Sequence, residues 1–166
     1  MDSTRARRFH NDLKDAAVGG WRTGDFINNG KSAVVFKGAK DGQVAAIKVF
    51  DPELVERHGR AEQEERIERE LKFCSHAHDN LIKILDGGTC PKTGYLYVVM
   101  EYRPEKNLAE QLLAVPRDRI PMLISRIASA ARFMMEERST VHRDIKPSNI
   151  VVDGQFERPI LLDLGV

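Results

Sequence analysis

The 166 residues are one domain's worth of chain or a large piece of a bigger domain, 42% hydrophobic and 31% charged. That balance describes a soluble globular protein and excludes collagen-like, low-complexity and mostly disordered classes. With 26 Lys and Arg against 25 Asp and Glu, the net charge of +1 gives no global case for nucleic acid or an anionic membrane as partner. No apolar run reaches the roughly 18 residues of a spanning helix. The opening MDSTRARRFHNDLKD lacks the apolar stretch of a secretory signal. Cys74 and Cys90 have no CxxC spacing, so neither a disulfide framework nor a structural zinc site is indicated, and a cytoplasmic protein is expected.

Residues 1–20 read as a polar leader, either solvated or a short helix docked on the domain, closing on Gly19-Gly20. From Trp21 the runs WRTGDFIN, SAVVFKGA and GQVAAIKVF have the β-branched content and glycine punctuation of successive strands. Asp41-Gly42 supplies hairpin chemistry between the second and third. The charged stretch from Asp51 to Ser75 predicts helix, with Asp51 as N-cap, Pro52 in the first turn and Gly59 dividing it in two. Its second piece carries one narrow apolar stripe, Ile67, Leu71 and Cys74, enough to dock one face. NLIKILDGG and GYLYVVMEY read as two more strands around a turn at Cys90–Gly94. Asn107 and Glu110 form a capping-box pattern that predicts a helix through LAEQLL, closed by Pro116. Ile120, Leu123, Ile124, Ile127, Ala131 and Met134 predict an amphipathic helix to about Arg138. HRDIKPSNIVVDG follows as a loop entering a short strand, then the apolar strand PILLDLGV. The organisation is α+β, in two lobes joined near Glu101–Pro104.

The sharpest segment is His142-Arg143-Asp144-Ile145-Lys146-Pro147-Ser148-Asn149, an HRDxKxxN pattern matched at all five specified positions. On these residues, and on Asp163-Leu164-Gly165 downstream, the chain resembles the eukaryotic-like (Hanks-type) serine/threonine protein kinases over about residues 21–166. The resemblance implies a two-lobed kinase-like fold: a small lobe at 21–102 and the start of a large lobe at 103–166, ending at the DFG-like motif. It also implies phosphoryl transfer from Mg·ATP to a protein hydroxyl. Asp144 would accept and orient the hydroxyl proton, and Lys146 would offset charge on the transferring phosphate. Asn149 and Asp163 would hold magnesium through oxygen. Leu164 stands where the family has Phe, which keeps an apolar packing residue.

Ala45-Ala46-Ile47-Lys48 resembles the family's VAIK strand, so Lys48 would contact the α- and β-phosphates and Ala46 would pack on adenine. Its acidic partner would be Glu70, flanked by Ile67 and Cys74, with Glu68 as the rival. The glycine-rich pattern falls on Asn28 to Val35 and keeps only the central Gly30. Asn28 tolerates positive φ and Ala33 is small, so a turn over the phosphates stays open to it, with Val35 capping the base. Met100 would be the gatekeeper, backbone groups of Glu101 and Arg103 would meet the adenine edge, and Val151 would floor it. Ile84, Cys74, Leu164 and His142 would stack as a spine.

The family's activation segment and peptide-binding helices would lie beyond Val166, so a piece of a longer kinase is expected, with an apolar stripe on the Ile120–Met134 helix left uncovered. The protein substrate is not legible, and neither nucleic acid nor membrane is expected as partner. A pseudokinase-like nucleotide-binding or scaffold module stays open because the glycine loop is degraded. A small-molecule phosphotransferase is the remaining alternative; such enzymes usually lack Arg143 and Lys146 equivalents.

Overall fold

The computed structural model describes residues 9, 11–30, 32–72 and 78–162, with only the backbone at His58, Glu70, Lys72 and Arg138. The expectations for Cys74 and for Asp163, Leu164 and Gly165 lie outside the described residues. The chain divides into two compact units, Met1–Cys74 with Ile84–Tyr102, and Ser75–Lys83 with Arg103–Val166.

The alternating runs from Trp21 onward build an antiparallel sheet in the first unit. Its strands are β1 (Ala17–Val18), β2 (Trp21–Asn29), β3 (Ala33–Lys40), β4 (Gln43–Phe50), β5 (Ile84–Thr89) and β6 (Leu96–Glu101), in the order β1-β2-β3-β4-β6-β5. Asp41 and Gly42 both take positive φ, 51° and 81°, as the two-residue hairpin between β3 and β4 requires. The fourth predicted run pairs only from Ile84; upstream, Leu81 instead makes a parallel bridge to Leu161 in the second unit.

Register divides the side chains cleanly between the two sheet faces. Val34, Phe36, Ala45, Ile47, Val49, Tyr97 and Val99 lie on one face and form a buried cluster. The polar leader helps to close it, for Phe9, Leu13 and Val18 are buried in the same cluster. Thr23, fully buried, donates its hydroxyl to the Leu13 and Ala16 carbonyls, so the leader is hydrogen-bonded to the sheet as well as packed on it. The chain beside it turns at Gly19, φ 57°, where a methyl group would run into the Tyr97 ring.

Two helices follow β4, α1 (Pro52–His58) and α2 (Arg60–Lys72). Asp51 caps the first through Oδ1, 3.0 Å from Glu53 N and 3.5 Å from Leu54 N. Gly59, at φ 100°, separates them. Ile67 and Leu71 of α2 reach the β5 backbone at Gly87, where an added Cβ would lie 3.3 and 3.5 Å from their side chains. Arg66–Glu62 and Arg69–Glu65 pairs at i,i+4 cover the solvent side.

The second unit is organised by α3 (Ile120–Arg138) and the two-stranded ribbon β7 (Ile150–Val151) with β8 (Ile160–Leu161). Leu123, Ile127, Ala130 and Met134 are the buried stripe of α3. Ile120 and Ile124 are 42% and 64% exposed, so the stripe expected to lie uncovered is uncovered only there, and Leu123, Ile127 and Met134 find cover. The helix presents a narrower face to its core than the full apolar pattern spans. The LAEQLL helix is also corrected. Asn107 and Glu110 do make the reciprocal capping bonds (Glu110 N to Asn107 Oδ1, 3.0 Å; Asn107 Nδ2 to Glu110 Oε1, 2.9 Å). Only a 3-10 turn, Leu112–Ala114, follows them. The N–H groups of Leu108 and Ala109 go to the Ile150 and Pro147 carbonyls, so tertiary partners hold the segment against the end of the HRDIKPSN run.

Candidate active site

The HRDxKxxN segment is held in the second unit by a bonding pattern that its own residues supply. His142 is buried, and its Nε2 lies 2.6 Å from the Leu162 carbonyl. The carbonyl can only accept, so Nε2 carries the proton; Nδ1 then accepts from Asp144 N at 3.3 Å. His142 thus ties the backbone of Asp144 to the strand end that leads toward Asp163. Arg143, between them, takes left-handed backbone at φ 63°. That turn brings Asp144, Lys146 and Asn149 together: Lys146 Nζ is 2.6 Å from Asp144 Oδ2, and Asn149 Nδ2 is 3.0 Å from the same oxygen and 2.9 Å from the Asp144 carbonyl. The 3-10 turn Pro147–Asn149 sets this spacing, and Leu162 N returns to the Asn149 carbonyl at 2.8 Å.

The charge consequence is direct. The Lys146 hydrogen bond, opposed by desolvation and reinforced by Asn149 and by the positive charge of Lys146, holds the Asp144 carboxyl below the ordinary carboxylate range. Asp144 and Lys146 are both exposed, so the cluster faces solvent. Val151, on β7, is buried beside it in sequence and bridges to Asn107.

In the first unit, register places Asn28, Val35, Lys48 and Val98 in one cross-strand row, and Lys37, Ala46, Met100 and Ile84 in the next, on the same face. This is the face opposite the leader-covered cluster. Lys48 is 9% exposed, with its ammonium 5.2 Å from the Phe50 ring centroid. Phe50 was not read from the sequence as a site residue, although its place two residues on puts it on the Lys48 face. Asn28 and Ala33 both lie in extended strand backbone, so the hairpin does not use positive φ at either; Gly30 N closes it on the Ala33 carbonyl at 2.9 Å. Glu101 pairs with Ala45 and so points away from the Ala46 row, which leaves its backbone as the relevant group. Arg103, in the second unit, lies 3.9 Å from Glu105. Glu70 sits on α2 with its side chain outside the described residues, and Glu68 is exposed. Among the described residues no group of three His, Cys, Asp or Glu side chains could hold a metal, and no helix is long and apolar enough to cross a membrane.

A family model described as the protein kinase domain matches residues 21–166. The chain belongs to the protein kinase family. It is 31% identical to CBL-interacting protein kinase 30 of rice (Oryza sativa subsp. japonica) over 154 residues, covering 90% of this chain and 31% of that protein. It is 32% identical to the human serine/threonine-protein kinase ULK1 over 141 residues, covering 81% and 13%. The crystal structure of the Mycobacterium tuberculosis PknI kinase domain superposes with a TM-score of 0.75 at 20% identity, covering 92% of this chain and 62% of that one. At that identity the likeness shows the protein kinase fold alone. The chain spans less than two thirds of the length of each of these relatives.

Proposed function

We propose that this chain carries the phosphate-handling part of an ATP-dependent protein serine/threonine kinase. The observation that carries the reading is the Asp144–Lys146–Asn149 cluster, in which one carboxylate oxygen is shared by an ammonium and an amide. In the reaction a serine or threonine hydroxyl oxygen bonds to the γ-phosphorus as the bond from phosphorus to the β,γ-bridging oxygen breaks. ADP leaves with that electron pair, and the hydroxyl proton passes to Asp144. A carboxylate held below its ordinary pKa is a poor proton sink at rest, so its first task is to orient the hydroxyl. Lys146 has three donors; one engages Asp144, and the others serve the transferring phosphate's oxygens.

Lys48 and its row on the first unit would take the α- and β-phosphates, with Glu70 as the acidic partner and Ala46, Val35, Met100 and Val151 around adenine. Gly30, with Asn28 and Ala33, would form the loop over the phosphates, and the backbones of Glu101 and Arg103 would meet the adenine edge. Asn149 spends its amide nitrogen on Asp144, so its oxygen is the atom able to meet a cation, and Asp163 is the second assigned ligand. An amide oxygen with one carboxylate suits magnesium, which keeps waters and phosphate oxygens for its other positions. Bound there, magnesium would neutralise charge on the β- and γ-phosphate oxygens.

The test is a thermal melt with and without Mg·ATP beside Lys48→Ala. Nucleotide at a hundred times its dissociation constant stabilises by about 2.7 kcal/mol. A magnesium-dependent upward shift that Lys48→Ala loses supports the reading. A cooperative melt that nucleotide leaves in place favours a scaffold role, to which the missing glycines at Asn28 and Ala33 would then belong.

A further inference from the structure

Among the described residues, helix α2 offers the sheet a narrow apolar face. Its apolar contacts with the sheet are made by Ile67 and Leu71, both in its second half, while its first half reads RAEQEER. It begins just after Gly59, at φ 100°, a backbone state that favours glycine. What fastens the first turn is Arg60. Its Nη2 donates to the Gly94 carbonyl at 2.8 Å, and its other nitrogens hold Glu56 at 3.2 Å and Glu64 at 3.0 Å. Glu64 Oε1 also accepts from Thr89 Oγ1, at 3.4 Å, at the end of β5.

The turn that supplies the Gly94 carbonyl is also the one the N-terminal segment touches. It is closed by Cys90 N to the Tyr95 carbonyl and Gly94 N to the Cys90 carbonyl, both 2.8 Å. The Phe9 ring packs on Tyr95 with centroids 5.3 Å apart, and the Cys90 thiol donates weakly to the Ala17 carbonyl at 3.9 Å. Phe9, Leu13 and Cys90 belong to one buried cluster. A continuous series of contacts therefore runs from Phe9 and Ala17 through the 90–95 turn to Arg60 and the helix that carries Glu70.

We propose that Phe9 and residues 11–18 are an intramolecular positioning element for α2: they brace the 90–95 turn so that its Gly94 carbonyl holds Arg60, and through Arg60 they set the angle of the helix. Arg60 is a positioning residue. Its importance for nucleotide handling rests on the kinase reading of Glu70; the mechanical link does not.

The experiment is hydrogen exchange on the 166-residue chain, comparing Phe9→Ala, Arg60→Gln and the double variant, joined to Mg·ATP affinity. Arg60→Gln is expected to speed exchange in the first two turns of α2 on the order of tenfold, with β3 and β4 unchanged. Phe9→Ala is expected to do the same in α2 as well as in its own segment, and to add nothing there once Arg60 is Gln. If Phe9→Ala costs β3 its protection, Phe9→Leu, which fills the core without the ring on Tyr95, is read in the same way. Unchanged α2 exchange on altering Phe9, or strictly additive effects, overturns the proposal. Where the parent binds Mg·ATP, Arg60→Gln should weaken binding several-fold; unchanged affinity with a loosened α2 would reject the positioning role. A parent that binds no nucleotide counts against the kinase reading, while the exchange results still decide the link.

Discussion

At the residue scale, the chemistry proposed for the HRDIKPSN loop turns on what Asp144 shares with its neighbours. Lys146 and Asn149 favour its ionised form, so the folded value lies below the ordinary value of about 3.9 for an aspartate. The stabilisation this brings is fully present above the unfolded pKa and is lost as pH falls through the folded one. A carboxyl-carbon NMR titration should therefore give Asp144 a depressed midpoint, and Lys146→Met should move that midpoint up toward the ordinary value. An unmoved midpoint would remove Lys146 as the cause. Asp144→Asn should lower phosphoryl transfer on the order of a hundredfold to ten-thousandfold while leaving Mg·ATP affinity nearly intact, read as kcat against Kd. Two glycines separate fold from loop function in the same spirit. At Gly38 a methyl would run into Ile47 Cδ1 and lie 2.7 Å from the Arg22 carbonyl, so Gly38→Ala should cost about 1–3 kcal/mol in a denaturant titration. At Gly30 an added methyl meets no atom of the described residues within 4 Å beyond its chain neighbours, so Gly30→Ala should leave stability within about 0.5 kcal/mol, and any loss of Mg·ATP affinity would belong to the loop's approach to phosphate.

At the element scale, local signals were legible wherever the stabilising partners are near in sequence. Asp51, Pro52 and Gly59 delimit α1 because a cap, a fixed φ and a left-handed break act within a turn of chain. Asp51→Ala should accordingly cost about 1 kcal/mol, measured as the shift in denaturation midpoint at constant slope. The LAEQLL segment shows the opposite case. Its capping box forms, yet the chain closes i,i+3 bonds, Gln111 N to the Leu108 carbonyl and Ala114 N to the Gln111 carbonyl, while the Leu108 and Ala109 N–H groups, which a helix start leaves unpaired, find Ile150 and Pro147 more than thirty positions away. The leader was ambiguous for a related reason. Phe9 and Leu13 are too sparse among charges to announce burial, and only the exposed apolar face of the sheet gives them a place to go. Leu13→Ala should destabilise the first unit by about 2–5 kcal/mol in a melt, where a solvated leader would show none.

At the scale of the whole molecule, exposed apolar side chains gather in the second unit. Leu113 is fully exposed, Ile124 is 64% exposed and Met135 58%. Side chains of this size in water favour self-association. Leu113→Glu combined with Ile124→Lys should reduce aggregation in light scattering at an unchanged melting temperature; an equal tendency to aggregate would place the sticky surface elsewhere. The sequence by itself determined the family, and it carries the residues on which the proposed chemistry rests. Phosphoryl transfer demands fixed residue types at short spacings, and HRDIKPSN keeps its carboxylate, lysine and amide within six positions. Strand alternation likewise determined which residues share the Lys48 face, because the period of two is a property of the extended backbone. Only the tertiary structure decided that the leader packs beneath the sheet, that Arg60 is tied to the 90–95 turn, and which of the apolar positions on α3 are buried. Those outcomes depend on partners distant in sequence, and their side chains follow no local period that would reveal the pairing.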